Sequence, residues 1–257
     1  MSILFASLLL FATTVEGDLV FPRNETYTPS PHSPVVFAVQ NAKTGWPIGL
    51  RIWVEVRRTS LFFDKVFPFP MISDADSPGF TGGPAPADPA LFSSGVNLTG
   101  IVGEFSILWT LYVSDNCSAS KEVDGYSTGN RSTSFIIAVG GKTPDIAAAV
   151  ESCPVDVAAV VLDGVANTEV DGKEMLCGFV GGAAAKAKTD PCALRPLSKV
   201  IAANVSAAIE MQECLEEKGF DQKGFEACKS EAGLRLYPGA GGSSLLFVAL
   251  AISVLDL

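Results

Sequence analysis

The feature that most constrains the fold is a strict period-two alternation of apolar side chains in the middle of the chain. Two segments show it, one on odd positions and one on even positions. The first set is Phe105, Ile107, Trp109, Leu111 and Val113, and the second is Leu50, Ile52, Val54 and Val56. Because successive side chains of a strand point to opposite faces of a sheet, this alternation predicts two half-buried β-strands.

Further strands are predicted on both sides of this pair. Val35–Gln40 and Phe135–Val139 are short apolar runs bounded by turn residues. Beyond them, two Asp-Gly pairs of the kind that tight hairpin turns need, at 163–164 and 171–172, separate three apolar segments. The segments are Val155–Leu162, Val165–Val170 and Lys173–Val180. They predict an antiparallel meander, with a helix left open for the alanine-rich residues 147–159.

The stretch from Phe67 to Leu91 is rich in Pro, Gly, Ser and Asp, and it predicts a long surface loop. Several short strands joined by turns favour a mainly β fold. We therefore expect an immunoglobulin-like antiparallel β-sandwich over residues 18–185.

The hydrophobic period changes after Pro191. Apolar residues then recur every three or four positions, which predicts a helix with one buried face. They are Leu197, Ile201, Val205, Ala208, Met211 and Leu215. Lys218-Gly219 predicts the helix end, and a second short helix is expected from Asp221 towards Ser230. Residues 186–230 are thus predicted to form a Cys-rich helical segment.

The amino-terminal run Ile3–Ala12 is apolar and leads to small residues before Asp18. This pattern is typical of a secretory signal peptide, predicted here as residues 1–17. The alternative is a buried amino-terminal strand or helix.

The carboxy-terminal run of residues 245–257 is too short to span a bilayer, which takes about 20 apolar residues. It predicts a removable GPI-attachment signal over residues 231–257, with Ser230 as the lipid-attachment residue. Gly239 and Gly241 also fit by size but shorten the spacer. The alternative is a core strand or a loose tail.

Five N-x-S/T sequons agree with export, and they use five of the seven asparagines. The acceptors are Asn24, Asn97, Asn116, Asn130 and Asn204. Glycans require exposed positions, so these residues are expected on loops or solvent faces.

Six cysteines behind a secretory signal favour three disulfides. The predicted pairs are Cys214 with Cys228 across the helical hairpin, Cys153 with Cys177 at the ends of the meander and, by elimination, Cys117 with Cys192. There is no Cys-x-x-Cys pair, and the only histidine is far from every cysteine in sequence. No metal site is therefore predicted.

Residues suited to catalysis are few and scattered. Gly125–Gly129 matches the G-x-S-x-G nucleophile elbow, but a strand follows it, and the sole histidine, His32, lies upstream in an exposed Pro-rich segment. The match is interpreted as chance. Carboxylates for glycoside hydrolysis remain candidates, since spacing in sequence does not give their separation in space. They are Asp74 with Asp76 and Glu55 with Glu104. No P-loop or dinucleotide fingerprint occurs, and no cofactor is predicted.

The formal net charge of −10 disfavours nucleic acid as a partner, because an acidic surface repels phosphates. Aromatic side chains that stack on sugar rings offer another kind of contact. Trp46, Trp53 and Tyr126 are the candidates, although tryptophans of a β-rich chain usually belong to the core.

Three features of the sequence are typical of one protein family: the segment Leu19–Tyr27 (Leu-Val-Phe-Pro-Arg-Asn-Glu-Thr-Tyr), the Gly103-to-Trp109 strand and Asp190-Pro-Cys192. In these features the chain resembles a family of secreted fungal proteins that contain a domain of unknown function. The resemblance implies a signal peptide, a cysteine pair and often a lipid anchor. It implies no catalytic residues.

These observations predict a secreted, N-glycosylated, GPI-anchored protein at the fungal plasma membrane or cell wall. The expected role is structural, adhesive or in contact with wall polysaccharide, and the expected partners are the membrane, through the anchor, and surface polymers or proteins. An enzyme is not expected. The alternatives are a hydrolase of wall polysaccharide and an effector that binds a host protein.

Overall fold

The computed structural model describes residues 12–45, 48–59, 66–68, 88–117, 123–170, 173–181 and 187–231. The strands within these ranges are β1 (Thr13–Phe21), β2 (Thr26–Tyr27), β3 (Ser33–Gln40), β4 (Leu50–Arg58), β5 (Val66–Pro68), β6 (Ala90–Val96), β7 (Gly103–Cys117), β8 (Val123–Ser127), β9 (Arg131–Ile137), β10 (Val157–Val170) and β11 (Lys173–Val180). The helices are α1 (Ala42–Gly45), α2 (Ile146–Glu151), a 3-10 helix (Pro191–Leu197), α3 (Ser198–Lys218) and α4 (Gln222–Glu231).

The strands form two mainly antiparallel layers. One layer has the order β6-β3-β1-β10-β11, and the other is built around β7, which pairs with β4 on one side and with β8 and β9 on the other. The layers join where the far end of β7 meets β11 in parallel, with Asn116 opposite Gly178. This junction curls the two layers into a half-barrel, so the predicted β-sandwich with a helical, disulfide-bonded carboxy-terminal segment is confirmed.

The core lies between the two layers and is organised by β7. All five odd-numbered apolar side chains of residues 105–113 are fully buried, as the alternation predicts. Trp109 packs edge-on against Phe37 of β3, with 5.2 Å between the ring centroids. Gly17 of β1 faces the same side chains, since a Cβ there would lie 3.5 Å from Leu111. The central strands β1 and β3 thus face β7 across the core.

The predicted meander differs from the structure at its first turn. β10 runs without a break from Val157 to Val170, and its pairing with β11 shifts register between Leu162 and Gly164. The Asp163-Gly164 pair therefore forms a β-bulge and not a hairpin turn, because β11 pairs with β10 on both sides of it. The hairpin around the second Asp-Gly pair is confirmed, with Val170 opposite Lys173.

The alternative of a helix near residue 147 is settled by α2. Asp145 caps it by accepting a hydrogen bond from the Ala148 amide at 2.9 Å, and the chain returns to strand at Val157. The predicted surface loop from Phe67 to Leu91 begins in β5 and ends in β6, and residues 69–87 lie outside the described part of the chain.

The helical prediction after Pro191 is confirmed. α3 buries the predicted face, including Ile201, Val205 and Met211. It ends at Lys218, and the amide of Gly219 returns to the Leu215 carbonyl at 2.8 Å, with a positive φ of 101° that favours glycine. The predicted second helix is α4.

The side chain of Gln212 helps to hold α3 against the edge of the first layer. Gln212 is buried, accepts from the Gly95 amide at 2.7 Å and donates to the Gly95 carbonyl at 3.1 Å. The carboxamide thus pairs with edge strand β6 as a further strand would. Unpaired edges invite aggregation, and this contact covers one.

The first strand begins earlier than the predicted mature chain. Residues 13–17, assigned above to the leader, are five of the nine residues of β1. The alternation there is hidden in sequence, because Gly17 and two threonines weaken the apolar signal. β1 thus begins five residues before the predicted mature terminus at Asp18, and residues 1–11 lie outside the described part.

Candidate functional site

Two of the three features that carry the family resemblance, the Phe-Pro-Arg-Asn and Asp-Pro-Cys segments, meet near Cys153 at the end of α2. The Phe-Pro-Arg-Asn segment follows β1, and its Arg23 guanidinium crosses to the end of α2. One nitrogen, Nη2, donates to the carbonyls of Ala149, at 2.6 Å, and Cys153, and lies 3.0 Å from the Ser152 hydroxyl. The last carbonyls of a helix carry partial negative charge and favour a cation there. Arg23 thus caps the carboxy-terminal end of α2 and attaches it to the segment that follows β1.

Tyr27 holds the segment after β1 in place through its hydroxyl and its ring. Its hydroxyl accepts from the Arg23 amide at 3.0 Å, and its ring packs 4.8 Å from that of Phe21. Burial raises the pKa of Tyr27 to about 12, so the phenol stays neutral as a hydrogen-bond donor. Glu25 accepts from it at 3.3 Å and forms an exposed ion pair with Lys142 at 3.0 Å.

The Asp-Pro-Cys segment reaches the same region from the helical side. The Asp190 amide donates to Oε2 of Glu16 at 2.8 Å, and Gln40 donates to the Asp190 carbonyl at 3.1 Å. Cys192, two residues on, is disulfide-bonded to Cys153 at the end of α2. These contacts attach the start of the helical segment to β1 and β3.

Beneath this attachment lie two buried carboxyl groups. Glu16 and Asp18 stand two residues apart on one face of β1 and are 4% and 0% exposed. Gln40 donates to Oδ2 of Asp18 at 2.9 Å, but no residue in the described ranges donates to Oε1 of Glu16 or Oδ1 of Asp18. A proton held by either carboxyl group supplies the missing donor.

The electrostatic environment of the pair favours the protonated form of one carboxyl group. Burial, above all, raises the pKa of Asp18 to about 7, and the charge of Glu16 adds to it, while Gln40 and the more distant Arg23 act in the opposite sense. Burial also raises the pKa of Glu16, and it outweighs the hydrogen bonds with the Asp190 amide and with Asp18, which lower it. Sequence reasoning missed this pair. Its i, i+2 spacing on a strand was a usable signal, but the predicted leader boundary after Gly17 separated Glu16 from Asp18.

The single histidine lies in a different environment from the exposed one that was predicted. The side chain of His32 is 15% exposed, and its Nε2 donates to Glu216 of α3 at 3.0 Å. Its Nδ1 lies 2.9 Å from a Glu213 oxygen, at an angle poor for a hydrogen bond. Burial raises the pKa of Glu216, but hydrogen bonds from Gln212 and His32 outweigh it and lower the pKa. His32 therefore helps to attach α3 to the sheet.

One predicted disulfide is confirmed and two are wrong. Cys214 and Cys228 pair across the α3–α4 hairpin, with the Cα atoms 5.6 Å apart. Cys153 pairs with Cys192 at a Cα distance of 4.8 Å, which excludes the predicted pairs of Cys153 with Cys177 and Cys117 with Cys192. The reason is α2, which ends at Glu151 and places Cys153 beside Cys192 of the 3-10 helix. Cys177 is also disulfide-bonded, and the side chain of Cys117 lies outside the described part.

The G-x-S-x-G residues and the histidine are not brought together. Ser127 ends β8, and its hydroxyl lies 3.0 Å from that of Thr110 and accepts from the Gly129 amide at 3.2 Å. Strand β9 follows, where a nucleophile elbow requires a helix. His32 lies against α3 instead. Among the described residues, the Ser127 hydroxyl contacts the Thr110 hydroxyl and the Gly129 amide, and neither is a base that could activate it.

The carboxylates proposed for hydrolysis do not form a pair either. Glu55 lies opposite Leu108 and is bound by Arg57 at 2.6 Å. Glu104 precedes Leu108 by four residues on β7. At roughly 3.4 Å per residue, it lies about 14 Å along the strand from the position opposite Glu55. Glycosidase carboxyl groups are separated by about 5–10 Å. Asp74 and Asp76 lie outside the described residues.

The aromatic candidates divide into buried and accessible side chains. Trp109 is fully buried and donates from Nε1 to Asp156 at 2.8 Å. Trp53, on the outer face of β4, is 37% exposed, and its cross-strand neighbour is Thr110. Tyr126 is half-buried against the core, and Trp46 lies outside the described residues. Trp53 is thus the predicted aromatic that the structure leaves accessible.

A small apolar cavity of about 10 Å³ lies at one end of the sandwich, lined by residues that include Tyr27, Ser33 and Phe135. That volume holds about one water molecule and no larger ligand. Within the described part of the chain, no group of three His, Cys, Asp or Glu side chains is arranged to hold a metal ion. Likewise, none of the helices in the described ranges is long and apolar enough to cross a bilayer.

The predicted glycosylation sites differ in accessibility. Asn24, Asn97 and Asn130 are exposed, and Asn204 is half-buried on α3. The side chain of Asn116 lies outside the described residues, as does that of Ser230, whose backbone belongs to the last turn of α4.

Comparison with known proteins identifies one family. The model of a domain of unknown function (DUF7136) matches residues 10–223, which include β1, both layers, α3 and the Asp-Pro-Cys segment. None of the curated proteins and none of the solved structures matches the chain. Since the match covers most of the sequence, the chain belongs to the DUF7136 family, whose function is unknown.

Proposed function

We propose that this chain is an exported, N-glycosylated protein displayed at the fungal cell surface or wall, and that its sandwich is a binding or structural module without catalytic activity. The observation that carries the proposal is the state of the cysteines. Each of the five cysteine side chains in the described residues is disulfide-bonded. Disulfides persist in oxidising compartments and are rare in the cytosol.

The sequons support the same address. Three of the five predicted acceptors, Asn24, Asn97 and Asn130, are exposed, as glycan attachment requires. Asn97 accepts a hydrogen bond from the Thr99 amide at 3.0 Å, a local turn that presents its side chain outward. Export in a secretory host followed by endoglycosidase treatment tests this part. A mass unchanged by the enzyme contradicts it.

We further propose a GPI anchor as the means of display, with residues 231–257 as the removed signal. Ser230, in the last turn of α4, is the proposed attachment residue. Phospholipase release from intact cells, followed by mass spectrometry of the carboxy-terminal peptide, tests the anchor and its position. Recovery of the protein with residues 231–257 still attached contradicts the proposal.

For binding, we propose that the outer face of the second layer contacts neutral wall polysaccharide through Trp53. An exposed indole on a sheet face offers a flat apolar surface to a sugar ring, and the Thr110 and Ser127 hydroxyls nearby offer hydrogen bonds. Glu55 and Glu104 lie too far apart along the sheet to act as a glycosidase pair, so these two residues give the hydrolase alternative no support.

Retention of the purified ectodomain on insoluble chitin, β-glucan and mannan tests this contact. Trp53→Ala is expected to reduce retention on the polymer that binds the wild type. Phe179→Ala removes an aromatic side chain that is 45% exposed on the other layer, and it serves as the matched control. Wild-type retention on none of the three polymers, or equal loss in both variants, contradicts the assignment of Trp53.

A further inference from the structure

The charged side chains on the two sides of Trp53 differ in how they are paired. Arg51, Trp53 and Glu55 point to the outer face of the second layer, because the residues between them are buried in the core. Glu55 is bound by Arg57 at 2.6 Å. Arg51 is half-buried, yet none of the described residues accepts a hydrogen bond from its guanidinium. A cation without an acceptor in the described part of the chain therefore lies beside the exposed indole.

A second aromatic ring lies across the strand from Arg51. In the pairing of β4 with β7, Arg51 is opposite Tyr112, which is half-buried. Trp53 is opposite Thr110, whose hydroxyl lies 3.0 Å from that of Ser127. Directly opposed side chains have Cβ atoms about 5 Å apart, and the two pairs follow each other at roughly 7 Å along the strands. The indole is thus followed, one step along the sheet, by a guanidinium and a phenol side by side.

This arrangement fits one substituent of a sugar ring in particular. An acetamido group has a carbonyl oxygen that accepts hydrogen bonds and a methyl group that packs on an aromatic ring. On a ring stacked over Trp53, such a group meets the Arg51 guanidinium with its carbonyl and the Tyr112 ring with its methyl. A hydroxyl group is shorter and has no methyl.

A carboxylate also pairs with arginine, but the charge of the whole protein disfavours an acidic polymer. The formal net charge of −10 repels a chain that carries a negative charge on every sugar. An acetamido group accepts from arginine without bringing a charge of its own. A neutral, N-acetylated polymer therefore satisfies both the local donor and the overall field.

We propose that the Trp53 face selects N-acetylated sugars, so that chitin, and not β-glucan or mannan, is its polysaccharide. Arg51 is the residue that determines this preference. A sugar ring that covers the guanidinium removes water from a charged donor, and a matching acceptor on the ligand offsets that cost. This inference rests on the proposed polysaccharide contact and names its ligand.

Calorimetric titration of the wild type with soluble oligosaccharides tests the preference without any substitution. The full chain is expressed in a secretory host and purified, and the probes are tetramers of N-acetylglucosamine, glucosamine, glucose, mannose and galacturonate. The N-acetylglucosamine tetramer is expected to bind roughly tenfold tighter or more than each of the others.

The other outcomes separate this inference from the proposed function. If the glucosamine, glucose or mannose tetramer binds as tightly as the acetylated one, and Trp53→Ala abolishes that binding, the preference is overturned and the polysaccharide contact stands. Tightest binding of the galacturonate tetramer, or binding of no tetramer at all, overturns both.

A substitution at Arg51 tests the residue itself. Arg51→Met keeps the apolar stem and removes the donors, so it is expected to weaken binding of the N-acetylglucosamine tetramer roughly tenfold and to leave the glucose tetramer nearly unchanged. Arg131→Met removes the same charge from an exposed residue opposite Trp109 and is the matched control. Equal weakening of the N-acetylglucosamine tetramer in both variants overturns the role of Arg51. Urea midpoints identify a variant that does not fold, and the preference of the wild type then decides the inference.

Discussion

Replacing Asp18 with asparagine is expected to remove most of the pH dependence of stability that the buried carboxyl pair imposes. Asparagine keeps the shape of the side chain and its acceptor for Gln40, and its amide supplies the donor that Glu16 lacks. The variant therefore resembles the protonated wild type at every pH. Asp18→Ala, in contrast, removes the acceptor of Gln40 and supplies no donor to Oε1 of Glu16, so it is expected to be destabilised throughout.

The magnitude follows from the pKa. Burial, above all, raises the pKa of Asp18 from its ordinary value of 3.8 to about 7, so between these values the folded protein holds a proton that the unfolded chain releases. The free energy of unfolding then falls as the pH rises through this range, and the stabilisation is fully present only below the unfolded value. Since one pKa unit corresponds to about 1.4 kcal/mol, the two units between pH 5 and 7 amount to about 3 kcal/mol.

Urea unfolding followed by fluorescence at pH 5, 6, 7 and 8 measures this effect, with the disulfides intact. The wild type is expected to lose about 3 kcal/mol between the extremes, and Asp18→Asn to lose little and to exceed the wild type at pH 8. Glu210→Gln makes the same carboxyl-to-amide change at an exposed position of α3 and controls for net charge. A pH profile of Asp18→Asn parallel to that of the wild type refutes the reasoning.

Two further substitutions test how the helical segment is attached. Gln212→Ala leaves the buried Gly95 amide without its acceptor and is expected to lower the free energy of unfolding by about 1–3 kcal/mol, whereas the exposed control Glu210→Ala has little effect; equal unfolding midpoints contradict this role. Arg23→Lys replaces a planar group with several donors by a single ammonium, and it is expected to speed hydrogen exchange of the α2 amides while distant amides in β7 keep their protection. Unchanged hydrogen exchange in α2 would show that Arg23 does not stabilise the end of this helix.

The strands with strict alternation and the long helix were predictable because each repeats one period over many residues. The odd positions of 105–113 and the face of α3 that carries Ile201 and Met211 are buried as predicted. In these elements the local pattern and the tertiary environment agree, and such agreement makes a prediction from sequence reliable.

The remaining features depend on contacts that the local sequence does not encode. Asp163-Gly164 has the composition of a turn, yet pairing with β11 on both sides makes it a bulge. The cysteine pairs depended on where α2 would place Cys153. His32 looked unpartnered because its carboxylate partners lie more than 180 residues away, on α3. The carboxyl pair was missed because Glu16 and Asp18 were assigned to opposite sides of a processing site.

Two properties of the chain raise its stability in acid, and their contributions differ in their dependence on salt. The surface carboxylates behind the net charge of −10 repel one another less as they take up protons. The Glu16–Asp18 pair, in contrast, holds its proton inside the protein. Exposed charges are screened within about 10 Å at 0.1 M salt, but buried groups are screened far less. The part of the pH profile that high salt removes therefore belongs to the surface, and the part that persists belongs to the pair. Because Asp18→Asn removes only the persistent part, the variant at high salt should unfold with nearly the same free energy from pH 5 to pH 8.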